Sequence, residues 1–297
     1  MFRANDSLSP ASVRGSLPKR DASFAGSALP VVMGIVNVTP DSFFDGGRAF
    51  RPAVAIKRGL ALAGDGADIL DIGGESTRPG AAPVSVDEEL RRVLPVVEAL
   101  ADKGCLVSID TRKAAVMKAA CQAGAAIVND VTALTGDPRS IDVVAAAGAS
   151  VILMHMSGEP GSMQNDPRYA DAPQEIFDYL AGRVEACVAA GIPRHRIAVD
   201  PGIGFGKTPR HNAEILGRLD LYRDLGCPLA LGVSRKSFIG ALSGDAPSER
   251  RLGGSLAALL AGVAGGADIL RVHDVFETRQ ALDIWRAIGL KRAETKS

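Results

Sequence analysis

From Val31 onward the chain repeats one pattern: a short β-branched apolar run, a polar end, then a stretch with apolar positions three and four apart. The apolar runs predict strands at Val31–Val36, Ile69–Ile72, Leu106–Ile109, Ala126–Val128, Val151–Met154, Ile197–Val199, Leu229–Val233 and Ile269–Val272. Most lack polar alternation, as parallel strands buried on both faces do.

The stretches between them carry helix signals. Ser85 followed by Glu88 forms a capping-box pattern, after which Leu90, Val93, Leu94 and Val97 share a stripe and Gly104 offers a stop. Asp171 with Gln174 opens a second helix, with Ile176, Phe177, Leu180 and Val184 inward and a stop at Gly191. Asp274 with Glu277 opens the last, with Leu282, Trp285 and Ile288 directed inward, so Trp285 reads as core. Leu256–Ala264, the longest apolar stretch, reads as a buried helix.

Internal similarity points to the architecture. Gly-Ala-Asp-Ile-Leu occurs at 66–70 and again at 266–270, each time leading into a strand. Strands recurring every 20 to 45 residues, roughly, fit an α/β chain folded as a single-domain TIM (β/α)8 barrel. A doubly wound sheet would carry a Gly-rich dinucleotide turn after its first strand. Here that turn reads Asn37-Val38-Thr39-Pro40-Asp41. The expected layout is an N-terminal extension over 1–30, then a barrel over 31–290 and a tail over 291–297. Phe2–Asp21 has no sustained apolar stretch for a signal-peptide core, and the extension reads as a disordered tail or an over-called start, with a transit peptide the weaker alternative.

Composition narrows the classes. Of 297 residues, 46% are hydrophobic and 23% charged, an ordinary globular balance. Lys plus Arg number 34 and Asp plus Glu 34, so the whole-molecule field offers no general attraction to nucleic acid or anionic lipid. No apolar run reaches the length of about 18 residues that a membrane span requires. Four widely spaced cysteines (Cys105, Cys121, Cys187, Cys227) read as reduced thiols of a cytoplasmic protein.

Barrels of this kind place their chemistry at the C-terminal ends of the strands. Those ends carry Asn37, Asp71, Asp110, Asn129, His155, Asp200, the run Ser234–Ser237, and Arg271 with His273. Taken singly, an Asp or Asn at such a junction is as readily a helix cap. Eight polar tips together imply a shared cavity, because each unpaired buried group costs several kcal/mol, roughly. Asp110, Asn129 and Asp200 supply acceptors and an amide donor for a ligand edge rich in N–H groups. Lys236 is a point donor. Arg78, Arg271 and His273 could surround a phosphate group, although a rim salt bridge is the plainer role for either arginine. Asn37 and Asp45 are oxygen ligands that could share a magnesium ion with a diphosphate.

Three other chemistries find little support. Gly202-Ile203-Gly204-Phe205-Gly206-Lys207-Thr208 resembles a P-loop only superficially, since Pro201 stands five before Gly206. Phe205 offers instead a ring face for a flat ligand. The four histidines lack zinc spacing, and no Gly-x-Ser-x-Gly elbow occurs.

These segments resemble the signature motifs of the dihydropteroate synthase family. They are Met33-Gly34-Ile35-Val36-Asn37-Val38-Thr39-Pro40-Asp41-Ser42-Phe43 continuing to Asp45-Gly46-Gly47, Asp71-Ile72-Gly73-Gly74-Glu75-Ser76-Thr77-Arg78-Pro79-Gly80, Ile109-Asp110-Thr111, Asn129-Asp130-Val131, Leu153-Met154-His155-Met156, Asp200-Pro201-Gly202, Ser234-Arg235-Lys236-Ser237 and Arg271-Val272-His273-Asp274. They run in the family's order from about residue 31 to 290. Phe44 stands where the family often has Ser, and Ile203 where an aromatic is frequent.

The resemblance implies condensation of a dihydropterin methyl diphosphate with p-aminobenzoate. It gives the pterin to Asp110, Asn129, Met154, Asp200, Phe205 and Lys236, and the diphosphate to Asn37, Arg78, Arg271 and His273. Phe43, Thr77, Pro79 and Ser237 would shape the p-aminobenzoate site, the helix start after Ser237 favouring its carboxylate. Asn37 and Asp45 would hold Mg2+, and Asp110, Lys236, Arg271 and His273 would form the catalytic set. A homodimer, mobile loops after strands one and two, and a pocket for which sulfonamides compete are further implications. Two rivals remain open at this point: a pterin methyltransferase serving a corrinoid protein, and a non-catalytic paralogue.

Overall fold

A computed structural model describes residues 30–39, 52–76, 81–158, 161 and 163–294, with backbone alone over 290–294. Chain order begins β1 (Val31–Asn37), α1 (Pro52–Gly64), β2 (Ile69–Gly73), α2 (Val86–Asp102), β3 (Val107–Asp110), α3 (Ala114–Gln122), β4 (Ile127–Asp130) and α4 (Ser140–Ala147). It continues through β5 (Ser150–Met154), α5 (Ala172–Ala189), β6 (Ile197–Asp200), α6 (Pro209–Leu216) and β7 (Ala230–Leu231). The last elements are α7 (Ser237–Leu242), α8 (Leu252–Ala264), β8 (Ile269–Val272) and α9 (Val275–Glu294).

Hydrogen bonding joins the strands in the order β6-β5-β4-β3-β2-β1-β8-β7, and every pair is parallel. One bridge between Val199 and Leu229 brings β6 back to the β7 segment and closes the ring. This is the TIM barrel that the repeat predicts.

The pleat explains why the polar residues gather at one end. Val31, Met33, Ile69, Ile127, Ile152, Ala198, Ala230 and Ile269 fill the barrel interior. Residues two further along a strand face the same way. Ile69 is thus followed inward by Asp71, Ile127 by Asn129, Ala198 by Asp200 and Ile269 by Arg271. The outward faces of the strands meet the helices in a larger cluster that includes Leu70, Ile72, Leu100, Ile109, Leu153 and Leu270.

Two expected caps form. Ser85 accepts from the Glu88 amide at 3.3 Å, and Asp171 accepts from the Gln174 amide at 3.2 Å. The buried face of α2, however, is Glu89, Val93, Val96, Val97 and Leu100, while Leu90 and Leu94 are half-buried. The helix is turned so that Glu89 reaches the Lys113 ammonium in the interior.

Strand β7 is shorter than its apolar run. After Leu231 the chain passes through Gly232 into a turn in which Arg235 adopts a left-handed φ of 58°, and a ladder cannot follow it there.

The C-terminal helices depart further from expectation. Val275, Thr278 and Leu282 of α9 are buried, but every residue over 283–289 is exposed, and the helix runs to Glu294, past the expected tail boundary. Trp285 is 43% and Ile288 50% exposed, so neither is core. Their spacing is amphipathic, but the described residues leave this half of the helix uncovered. Helix α8 likewise buries only Ser255, Leu259 and Gly262, leaving Leu252, Leu256, Leu260 and Val263 half-covered. Among the described residues no helix is long and apolar enough to cross a membrane.

Leu100, fully buried where α2 meets the barrel, measures the helix–sheet core. Leu100→Ala should lower unfolding free energy by about 2–5 kcal/mol in urea titration, and a loss under about 1 kcal/mol would contradict this packing.

Candidate active site

At the C-terminal end of the barrel the strand tips converge. Register sets Gly73 of β2 beside Asp110 of β3, Asp110 beside Asn129 of β4, and Met154 of β5 beside Asp200 of β6. Arg271 reaches across from β8. Its Nε donates to Asp71 Oδ2 at 2.6 Å and its Nη2 to Asp110 Oδ2 at 2.6 Å. The Asn129 side-chain amide also donates to Asp71 Oδ2, at 3.1 Å. Asp71 is wholly buried, and its other oxygen, Oδ1, has no partner among the described residues.

The β7 exit supplies the second cation. Lys236 caps α7 and points its ammonium at the Ile203 carbonyl and over the Phe205 ring, 4.7 Å from the centroid. The Asp200 carboxylate opposite accepts from the Gly202 amide at 2.7 Å. Ser237, the first residue of α7, is exposed at this rim. His273 follows β8, its ring Nδ1 3.1 Å from Ser234 Oγ and its amide donating to the same hydroxyl at 3.2 Å.

These groups perturb one another. Burial pushes the Asp110 carboxyl up to about 7, against the attraction of Arg271 and with the help of Asp71 and Asp130 nearby. Burial also raises Asp200, opposed mainly by Lys236. Lys236 falls to about 8 because burial outweighs the attraction of Asp200. Burial disfavours the charge on Arg271 as well, but Asp71 and Asp110 overcome it and keep the guanidinium protonated. One arginine faces two carboxylates in a poorly hydrated site, so Asp110 gives up its proton only near neutral pH.

The candidates divide plainly. Asp110, Asn129, Met154, Asp200, Phe205, Lys236, Arg271, His273, Ser237 and Asn37 all lie at strand ends or in the loops after them. Phe43, Asp45, Thr77, Arg78 and Pro79, with the first 29 residues, lie outside the described residues. Arg271, expected toward the diphosphate, is bonded among the carboxylates and so touches both halves of the mouth. The sequence reading gave Asp71 no role, although a carboxylate inside an apolar run marks a buried charge in need of a partner. It also gave Lys207 none, and that side chain is only 3% exposed.

A mouth that offers carboxylate and amide acceptors, an ammonium and a guanidinium set among them, the apolar side chain of Met154 and the ring of Phe205 suits a planar, nitrogen-rich heterocycle carrying an anionic arm. Fold and site thus define a heterocycle-binding barrel enzyme, and the family model of pterin binding enzymes matches residues 33–273. An Escherichia coli dihydropteroate synthase is 46% identical over 259 residues, covering 87% of this chain and 91% of that protein. A Xanthomonas albilineans dihydropteroate synthase solved with 4-aminobenzoic acid superposes with a TM-score of 0.83 at 48% identity, over 88% of this chain and 94% of that one. The same organism's enzyme in complex with 7,8-dihydropteroate gives a TM-score of 0.80 at 45% identity, with the same coverage. The chain belongs to the dihydropteroate synthase family, and it is a transferase of that type. Neither rival reading is favoured by these relatives.

Between about pH 4 and 7 the folded protein keeps on Asp110 a proton that the unfolded chain has released, so this group's contribution to stability declines as pH rises through that window. Urea midpoints of Asp110→Asn should therefore fall less steeply from pH 4 to 7 than those of the wild type. Equal slopes would contradict the assignment.

Proposed function

We propose that this mouth condenses 6-hydroxymethyl-7,8-dihydropterin diphosphate with p-aminobenzoate, giving 7,8-dihydropteroate and diphosphate. The reading rests on one observation, the convergence of Asp71, Asp110, Asn129, Asp200, Lys236 and Arg271 around a single opening. Asp200 and Asn129 bind the N–H edge of the pterin, Lys236 donates to its acceptor edge, and Met154 and Phe205 cover its faces. Arg271 and His273 hold the diphosphate, joined by Asn37 and by Arg78 through its place in the family motif. Phe43, Thr77, Pro79 and Ser237 shape the p-aminobenzoate site.

The arylamine nitrogen lone pair attacks the pterin methylene carbon while the carbon–oxygen bond to diphosphate breaks, and the amine then loses a proton. Positive charge gathers at the carbon as the leaving group departs. Asp110 lies beside that position, and its ionised carboxylate opposes the growing charge, which stabilises the transition state more than the ground state. Lys236, Arg271 and His273 complete the catalytic set, the last two by taking up negative charge on the diphosphate. A neutral arylamine at pH 7 needs no general base to attack.

Mg2+ fits the oxygen chemistry of Asn37, an uncharged donor at the mouth, because this ion is usually held by one or two protein oxygens together with substrate phosphate and water. Asn37 and Asp45 would hold it, and when bound it would neutralise diphosphate charge. Among the described residues no group of three or more His, Cys, Asp or Glu could do so without substrate oxygens.

We also read the chain as a cytoplasmic homodimer whose pocket admits sulfonamides in place of p-aminobenzoate. The dimer is supported by Ile284, Trp285 and Ile288 on the uncovered half of α9, beside the half-covered apolar side of α8. An apolar stripe of this kind requires a covering surface.

The direct test is diphosphate release from both substrates, with and without Mg2+. Asp200→Ala should weaken pterin binding by about 2–4 kcal/mol as a charge-assisted pair is lost, and unchanged affinity by calorimetry would contradict the site. In sedimentation the wild type should run at twice the chain mass and Trp285→Glu/Ile288→Glu as a monomer. A variant that stays dimeric would sink that interface.

A further inference from the structure

Lys207 is buried to 3% exposure, yet among the described residues no carboxylate bonds it. Its ammonium bonds three neutral acceptors: the Phe205 carbonyl at 2.9 Å, the His155 carbonyl at 3.3 Å and His155 Nδ1 at 3.0 Å. A buried ammonium with only neutral partners is costly, so it is retained for something other than stability.

The surroundings show what it joins. The loop Gly202–Gly206 lies flat on the segment that leaves β5. A Cβ at Gly202 would strike the His155 carbonyl and one at Gly206 the Ser157 carbonyl, and both glycines have positive φ, 69° and 64°. On its other face the same loop meets Lys236: the Ile203 carbonyl accepts from the ammonium, Phe205 lies beneath it, and a Cβ at Gly204 would come within 3.2 Å of its Cδ. The loop is therefore a thin wall between the β5 exit and Lys236, fastened at its far end by Lys207.

The His155 ring closes the arrangement from outside, edge-on to Tyr179 with centroids 5.0 Å apart. Burial and the neighbouring Lys207 ammonium drive the imidazole down to about 3, so the ring is neutral, and in its Nε2–H tautomer Nδ1 accepts from Lys207.

We propose that Lys207 is a positioning residue for the pterin pocket: by tying the Gly202–Gly206 loop to His155 it fixes where Phe205 and the Ile203 carbonyl stand, and through them where the Lys236 ammonium points. The inference rests on the pterin assignment made above and adds a residue that does not itself touch the substrate.

Lys207→Met keeps the length of the side chain and removes all three bonds. Calorimetry with the pterin diphosphate substrate should then show affinity weakened by about 10- to 100-fold, because a wall displaced by around an ångström misdirects Lys236. The KM for p-aminobenzoate should stay within about twofold. Lys207→Gln, which retains two N–H donors without the charge, should recover most of the loss. A Lys207→Met protein that melts earlier yet binds pterin within about threefold of wild type would overturn the proposal, since a purely structural lysine behaves that way. Should Lys207→Met fail to fold, His155→Phe decides, as it keeps a flat ring in place and removes the Nδ1 acceptor together with Nε2, which none of the three Lys207 bonds uses. Pterin binding weakened by about fivefold or more supports the clip, and unchanged binding refutes it. Asp200→Ala run in parallel separates the two levels. If it too binds normally, the pterin site is misassigned. If it fails to bind while Lys207→Met binds, only the positioning role falls.

Discussion

The Arg271 guanidinium lies between carboxylates on two different strands, Asp71 of β2 and Asp110 of β3, while its own backbone belongs to β8. Two acids facing each other inside a barrel repel and resist dehydration, and a single fork-shaped cation with a fixed donor geometry offsets both effects. Asn129 adds a neutral donor to the more buried acid. The result is a chain of side-chain bonds linking four strands at the level where apolar filling gives way to polar chemistry. Remove the cation and two dehydrated carboxylates are left, a change that would cost about 3–5 kcal/mol and disturb every group the pterin edge would meet.

Much of this was legible in the sequence, for a physical reason. Strands covered on both faces must be apolar throughout, so their runs stood out, and all eight fell where the pattern put them. The residue at which such a run turns polar is where the chain leaves the dry interior, and Asp110, Asn129, Asp200 and Arg271 were found in that way. Asp71 stood among the same polar tips but was given no role, since it interrupts its run from within. Its partner, Arg271, lies two hundred residues away, and no local pattern links them. Lys207 was hidden for a different reason. A lysine in a glycine-rich loop reads as solvated, and only the fold reveals that the loop is pressed against another backbone.

The errors at the C-terminus have their own logic. An amphipathic helix announces that one side will be covered, but not by what. For α5 the cover is the barrel, and Ile176, Leu180 and Val184 are buried as expected. For the second half of α9 the same signal is present, yet no described residue covers 283–289. In α2 the stripe rotated because a buried glutamate found a lysine, a pairing that hydrophobic periodicity does not register.

The ring of strands is not equally strong all the way round. Its neighbours share between two and five register pairs, except at the seam between β6 and the β7 segment, which one bridge holds. Asp200 stands on one side of that seam and Lys236 follows from the other. Thermal fluctuation will part the staves of the barrel there first, and the two groups placed to clasp opposite edges of the heterocycle would ride on the lips of the crack. A ligand bridging them would act as a missing rung, so occupancy should tighten the weakest line of the whole cylinder.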